Sequence, residues 1–141
     1  MKASRRQGRE LALQALYAWQ LSGADALEEA RCLEGFAQNE PFVRALVQGV
    51  QGRAAELQAL IAPHIERSFE RLSPVERAIL YIAAFELEAH ADTPFKVVLN
   101  EAIELGKSFG GSEGHRFVNG VLEKVAAALR PEEVAKHRSA P

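Results

Sequence analysis

A lone cysteine, Cys32, leaves this chain without an internal disulfide. Structural disulfides belong to oxidising compartments, so the sequence fits a cytoplasmic protein. Cys32 itself reads as a small buried apolar side chain. Long hydrophobic runs are missing as well. The longest, Ala78 to Phe85, falls far short of the ~18 apolar residues of a membrane span. The start of the chain is polar and basic, and no A-x-A-like cleavage site follows it, so no signal peptide is expected. Excess charge is absent too, since the formal net charge is -2. A protein that binds polyanions over its whole surface is strongly basic, so any nucleic-acid site here is a local patch. Fixed-period repeats and Pro/Gly/Ser-rich linkers are lacking, and residues 1–141 read as one domain.

What is present is apolar residues at helical spacing. The spacing predicts a first helix from about Ser4 to Leu21, stopped by Gly23. Its second half is apolar on most sides (Leu11, Leu13, Leu16, Tyr17, Trp19, Leu21). Its first half is polar, so one end is expected in the core and the other in water. A weaker helix is expected over about Asp25 to Gln38, with Gly35 against it. Val43, Leu46, Val47, Val50, Ala54, Leu57 and Ile61 form the next stripe, interrupted by Gly49 and Gly52, where close helix packing accounts for glycine. Pro63 ends or bends that helix ahead of a short piece carrying Ile65 and Phe69. Ser73-Pro74-Val75-Glu76 spells a capping box and opens a central helix, Pro74 to Ala89. Asp92-Thr93-Pro94 is expected to open the following helix in the same way, and Gly110-Gly111 to stop it. Ser112 is the expected cap of a last long helix, with Pro131 beginning a polar tail. About six or seven helices joined by short turns make an all-α domain.

Catalytic and metal-binding patterns are not found. None of His64, His90, His115 and His137 has an acid three positions before it, and no two are one turn apart. No G-x-S-x-G occurs, and Glu28 and Glu29 stand one turn before Cys32, where they discourage a thiolate. Gly106-Lys107-Ser108 mimics the end of a phosphate-binding loop, but Glu101 stands where the pattern needs its first glycine. Glu101 and Glu104 read as a solvated pair on an outer helix face. No enzyme activity, metal or cofactor is therefore expected.

Basic residues gather in two places. Lys2, Arg5, Arg6 and Arg9 share roughly one face at the start of the first helix, with no acid among residues 1–9. Like charges at that spacing repel, and cations at a helix N-terminus oppose the macrodipole. A bound phosphate chain would supply the missing partner, and a frayed, solvated arm also accounts for the charge. The second region holds Lys107, Phe109, His115, Arg116 and Phe117 around Gly110-Gly111. A glycine turn feeding a helix start presents N–H groups to anions, and exposed rings stack on unpaired bases. A helix corner with two core phenylalanines explains the same residues.

The stretches Arg5-Arg6-Gln7-Gly8-Arg9-Glu10-Leu11 through Tyr17-Ala18-Trp19, Pro94-Phe95 through Asn100-Glu101 to Phe109-Gly110, and His115-Arg116-Phe117-Val118-Asn119-Gly120 resemble the NusB family of bacterial transcription antitermination factors. Ser73-Pro74-Val75-Glu76-Arg77 and the apolar helix after it extend the match, and only residues 23–40 look individual. The resemblance implies an all-helical fold of two small helical halves. It implies binding to the boxA element of ribosomal RNA leaders together with NusE, a small-subunit ribosomal protein that doubles as an elongation factor. The pair would load onto RNA polymerase and help it pass terminators. Carried over, Arg5, Arg6 and Arg9 contact RNA, joined by Lys107, Phe109, His115, Arg116 and Phe117 at the glycine corner. Tyr17, Glu76 and Arg77 would meet NusE, although the capping box already explains Glu76. Gly8 departs from the family, which often has a basic residue or alanine there, and implies a floppier helix start. Two other roles remain open. One is a detached accessory domain of an RNA cytosine methyltransferase, although no glycine-rich cofactor loop is present. The other is a self-associating scaffold, since homodimers occur in the family.

Overall fold

Ser4 caps the first helix through its side chain, which accepts from the Gln7 N–H. The Ser4 N–H donates in turn to Asn39 Oδ1 at 2.8 Å, and the Asn39 amide donates to Gln7 Oε1 and to the Gly35 carbonyl. The start of the helix is thus pinned to a neighbouring helix by buried polar contacts. The expected solvated first half is corrected by this, because Gly8 and Arg9 are buried there.

The computed structural model describes residues 4–139, apart from the side chains of residues 111–114. It contains α1 (Arg5–Ser22), α2 (Ala26–Arg31), α3 (Phe36–Gly52), α4 (Ala54–Ile61), α5 (Pro74–Ala89), α6 (Phe95–Phe109), α7 (Gly111–Leu129) and α8 (Pro131–Ser139). Short 3₁₀ turns at Ala62–His64 and Phe69–Arg71 join α4 to α5. The all-α expectation holds, and no strand occurs among the described residues.

Several boundaries differ for local reasons. The helix expected over 25–38 divides: α2 stops at Arg31, and Gly35, with a φ of +96°, stands at the cap position from which α3 starts at Phe36. Cys32 falls at the end of α2 and is exposed, not buried as expected. Gly49 lets the Phe85 ring press on α3, since a Cβ there would lie 2.2 Å from the ring, whereas Gly52 faces open space. Asp92 and Thr93 provide no cap to α6; the Phe95 N–H donates instead to Glu133 Oε2 of α8 at 2.8 Å. Gly110, not Ser112, occupies the cap position of α7. The expected polar tail is helix α8, which buries Val134.

The capping box forms as read, with Ser73 and Glu76 exchanging both hydrogen bonds. It launches α5, in which every residue from Ala78 to Leu87 is buried. Helices α1, α3 and α4 pack on α5 from one side of the chain order, and α6 and α7 from the other. The helices thus form two groups that share one continuous core. Arg130 locks the end of α5 in place by donating to the carbonyls of Glu86, Leu87, His90 and Thr93 at 2.6–3.1 Å. No described helix is long and apolar enough to cross a membrane.

Candidate RNA interface

The arginines at the start of α1 have three different fates. Arg9 lies in the centre of the α1 stripe that continues through Ala12, Leu13 and Leu16, and it is 3% exposed. Its Nε and Nη2 donate to the two carboxylate oxygens of Glu86 at 2.8 and 2.7 Å. Glu86 is 1% exposed, so each charge is the other's replacement for water. Arg9 is therefore a buried cation whose charge is already paired with Glu86, where the spacing expected a charge exposed to phosphate.

Arg6 faces α6. It makes a second fork, from Nε to Glu101 Oε1 at 3.1 Å and from Nη2 to Oε2 at 2.8 Å. Its side chain is 60% exposed while that of Glu101 is 16% exposed. Hydrogen bonding from Arg6 holds the Glu101 carboxyl below the ordinary carboxylate range, and the same bond raises the Arg6 guanidinium. Glu101 is thus not the solvated partner of Glu104 that the spacing suggested.

Arg5 faces α3 and is exposed. Its guanidinium sits 4.8 Å from the centre of the Phe42 ring, and Nη1 donates to the Thr93 hydroxyl at 3.4 Å. Among the described residues it has no carboxylate partner. Phe42 fits because residue 8 is glycine: a Cβ at Gly8 would lie 2.8 Å from the ring. Gly8 is buried packing, which corrects the floppy-start reading. Lys2 lies outside the described residues.

The second region forms at the α6–α7 corner. Lys107 is exposed, with Nζ 3.5 Å from Glu104, and Phe109 is 38% exposed. His115 packs on Gly106, where an added Cβ would lie 2.9 Å from the His115 Cα. This close crossing is what Gly106 does in place of binding phosphate. The His115 Nδ1 is buried and forms no hydrogen bond among the described residues. Arg116 is exposed and Phe117 half-buried.

The structure joins the two regions along α6. A small hollow lined by Arg6, Arg9, Glu10, Glu101, Glu104, Leu105 and Ser108 connects the start of α1 to the last turn of α6. Three carboxylates interrupt the basic track there. Beyond the corner, a cleft of about 610 Å³ brings Arg116 and Phe117 together with His64, Arg67 and Lys124. The Arg67 guanidinium stands 4.9 Å from the centre of the Phe117 ring. Sequence reasoning missed Arg67 because it lies between two short turns, where no helical spacing assigns a face. Lys124 was legible, being one turn past Gly120 and two past Arg116 on α7.

The expected partner residues occupy a different surface. Tyr17 is 40% exposed, and Leu21, one turn later on α1, is 58% exposed. Gln20 ties this end of α1 to α5 by donating to the Pro74 carbonyl at 2.9 Å. Glu76 is engaged in the capping box. Arg77 has a buried Nε without a hydrogen bond, beside a hollow lined by Gln20, Gln58, Phe69, Glu70 and Tyr81. Burial raises the Tyr81 hydroxyl, which accepts from Gln58 at 2.7 Å. No described cluster of His, Cys, Asp and Glu is arranged to hold a metal ion.

These features match known proteins along nearly the whole chain. The NusB family matches residues 6–127. Transcription antitermination protein NusB of Dechloromonas aromatica is 49% identical over 99% of this chain and 88% of its own length. The protein of the same name from Paraburkholderia phytofirmans is 48% identical over 98% and 99%. Among solved structures, Thermotoga maritima NusB superposes with a TM-score of 0.85 at 30% identity, covering 96% of this chain and 99% of that one. A chain from a crystal structure of the antitermination factors NusB and NusE in complex with double-stranded RNA gives 0.78 at 26% identity, over 88% and 96%. The chain belongs to the NusB family of transcription antitermination factors, which are not enzymes.

Proposed function

We propose that this chain binds the boxA RNA of ribosomal RNA leaders together with NusE, and that the pair helps RNA polymerase read through terminators. The observation that carries the reading is the exposed start of α1. Arg5 and Arg6 stand there on a rigid, pinned helix in a chain whose solved relatives include a NusB bound to NusE and RNA. Cations project from this end while the chain as a whole carries a formal net charge of -2, so phosphate contact is local. Lys107, Phe109, His115, Arg116 and Phe117 extend the RNA track around the α6–α7 corner. NusE meets the other end of α1, at Tyr17, and the start of α5 beside it, at Glu76 and Arg77. Assembly onto the polymerase complex follows from that pair.

The test is a gel-shift series with boxA RNA, a scrambled RNA and a duplex of the boxA sequence, each with and without NusE. Single-stranded boxA RNA binds tightest, and NusE tightens it further. Arg5→Ala lowers the salt slope by about 0.7, one phosphate contact, without shifting the melting temperature. Equal binding of boxA and scrambled RNA in the presence of NusE overturns the reading.

A further inference from the structure

We infer that Glu101 competes with RNA phosphate for Arg6, making this carboxylate a determinant of how tightly and how selectively the start of α1 holds RNA. The inference rests on the RNA reading above. Its basis is the double fork between the two side chains, at 3.1 and 2.8 Å. Glu101 is not needed to satisfy the core. Arg9 already has both oxygens of Glu86, and its nearest approach to Glu101 is 3.8 Å. The Glu101 charge is therefore directed at Arg6, which projects into water.

A guanidinium has five N–H donors, and the fork uses only Nε and one on Nη2. A phosphate can approach the free edge, but it meets a cation already neutralised from behind. Glu10 and Glu104 line the same hollow, so three carboxylates oppose two guanidiniums there. Arg5 is the contrasting case, resting on the Phe42 ring and the Thr93 hydroxyl. Arg5 is open to any phosphate. Arg6 is gained only by a ligand that fixes a phosphate well enough to outweigh the repulsion. Diffuse attraction to an arbitrary RNA is thereby reduced more than attraction to the RNA that fits.

The magnitude follows from Coulomb's law. A phosphate about 6 Å from a carboxylate, in a medium between bulk water and half its dielectric constant, is disfavoured about threefold to tenfold. Glu101→Gln and Glu101→Ala should therefore tighten RNA binding by about that factor and add about 0.7 to the salt slope. The gain should be larger on scrambled RNA than on boxA RNA. It should vanish when Arg6→Ala is added to either variant.

Fluorescence anisotropy with the full chain, boxA RNA and scrambled RNA over a salt series reads all of these. Melting curves confirm that the variants fold, which the intact Arg9–Glu86 pair favours. Two variants are needed, because the glutamine amide oxygen can still accept from Arg6 and the alanine cannot. Unchanged or weaker binding in both variants, with the parent still binding, overturns the inference and makes Glu101 a positioning residue for Arg6. If the parent binds neither RNA and Arg5→Ala has no effect, the RNA reading itself fails, and this inference fails with it.

Discussion

Replacing Arg9 by alanine should unfold the protein more readily without revealing a lost RNA contact. The substitution leaves the Glu86 carboxylate 1% exposed, between apolar neighbours on α5, with no cation in hydrogen-bond range. His90 Nδ1 stands 4.0 Å away and is too distant to replace the fork. Breaking a buried pair from one side costs about 3–5 kcal/mol. For a chain of this size, about 3 °C per kcal/mol gives a fall in melting temperature of about 10–15 °C. Circular dichroism melts measure it directly. The decisive variant removes both charges, Arg9→Met with Glu86→Leu. Well-packed apolar replacements of a buried pair are often neutral or stabilising, so the melting temperature should return to within a few degrees of the parent. RNA binding by this double variant should stay within about twofold of the parent, well under 1 kcal/mol. A stable double variant that binds RNA as poorly as Arg5→Ala would refute the burial argument and return Arg9 to the RNA surface. An unchanged melting temperature for Arg9→Ala alone would refute it too.

Gly106→Ala should destabilise by about 1–3 kcal/mol, because its Cβ would meet backbone at His115 Cα and no rotamer relieves that; urea titration measures it. Arg130→Met should cost about 2–4 kcal/mol, since four carbonyls around the end of α5 lose their donor, and amide exchange should quicken first in residues 86–95. Stability should decline as pH falls below about 4.5. Glu101 is held low by Arg6, and Glu133 by the Phe95 N–H. A carboxylate with a depressed folded pKa contributes fully above its unfolded value of 4.5 and loses that contribution as pH falls through the folded one. Glu133→Gln should flatten part of the decline in melts taken between pH 7 and pH 3, and a curve identical to the parent's would refute the assignment.

The helices were legible wherever a local rule decides them. Ser73 and Glu76 cap α5 because both partners lie within one turn, and the sequence spacing is the geometry. The helix starts at Phe95 and Gly111 were less legible. The donor that α6 needs to place is satisfied by Glu133, 38 residues further along the chain. Residue type alone predicts a buried Cys32, whereas the end of α2 turns it to water.

The arginines show the same limit at the candidate site. Spacing put Arg5, Arg6 and Arg9 on one face, and charge gave each an equal claim to phosphate. Their separation is decided by acids 95 and 77 residues away, Glu101 and Glu86. A signal for Arg9 was nevertheless present. Glu86 is an ionisable residue inside an apolar run, and such a residue is buried only with a partner. The partner must itself belong to an apolar stripe. Arg9 precedes Ala12, Leu13 and Leu16 by three, four and seven residues, the spacing of one helix face, and it is the arginine of the three that directly adjoins the apolar half of the helix. An unexplained acid in one helix thus points to Arg9, of the three arginines, as its buried partner. Arg5 and Arg6 then remain as the cations to test at this end of α1.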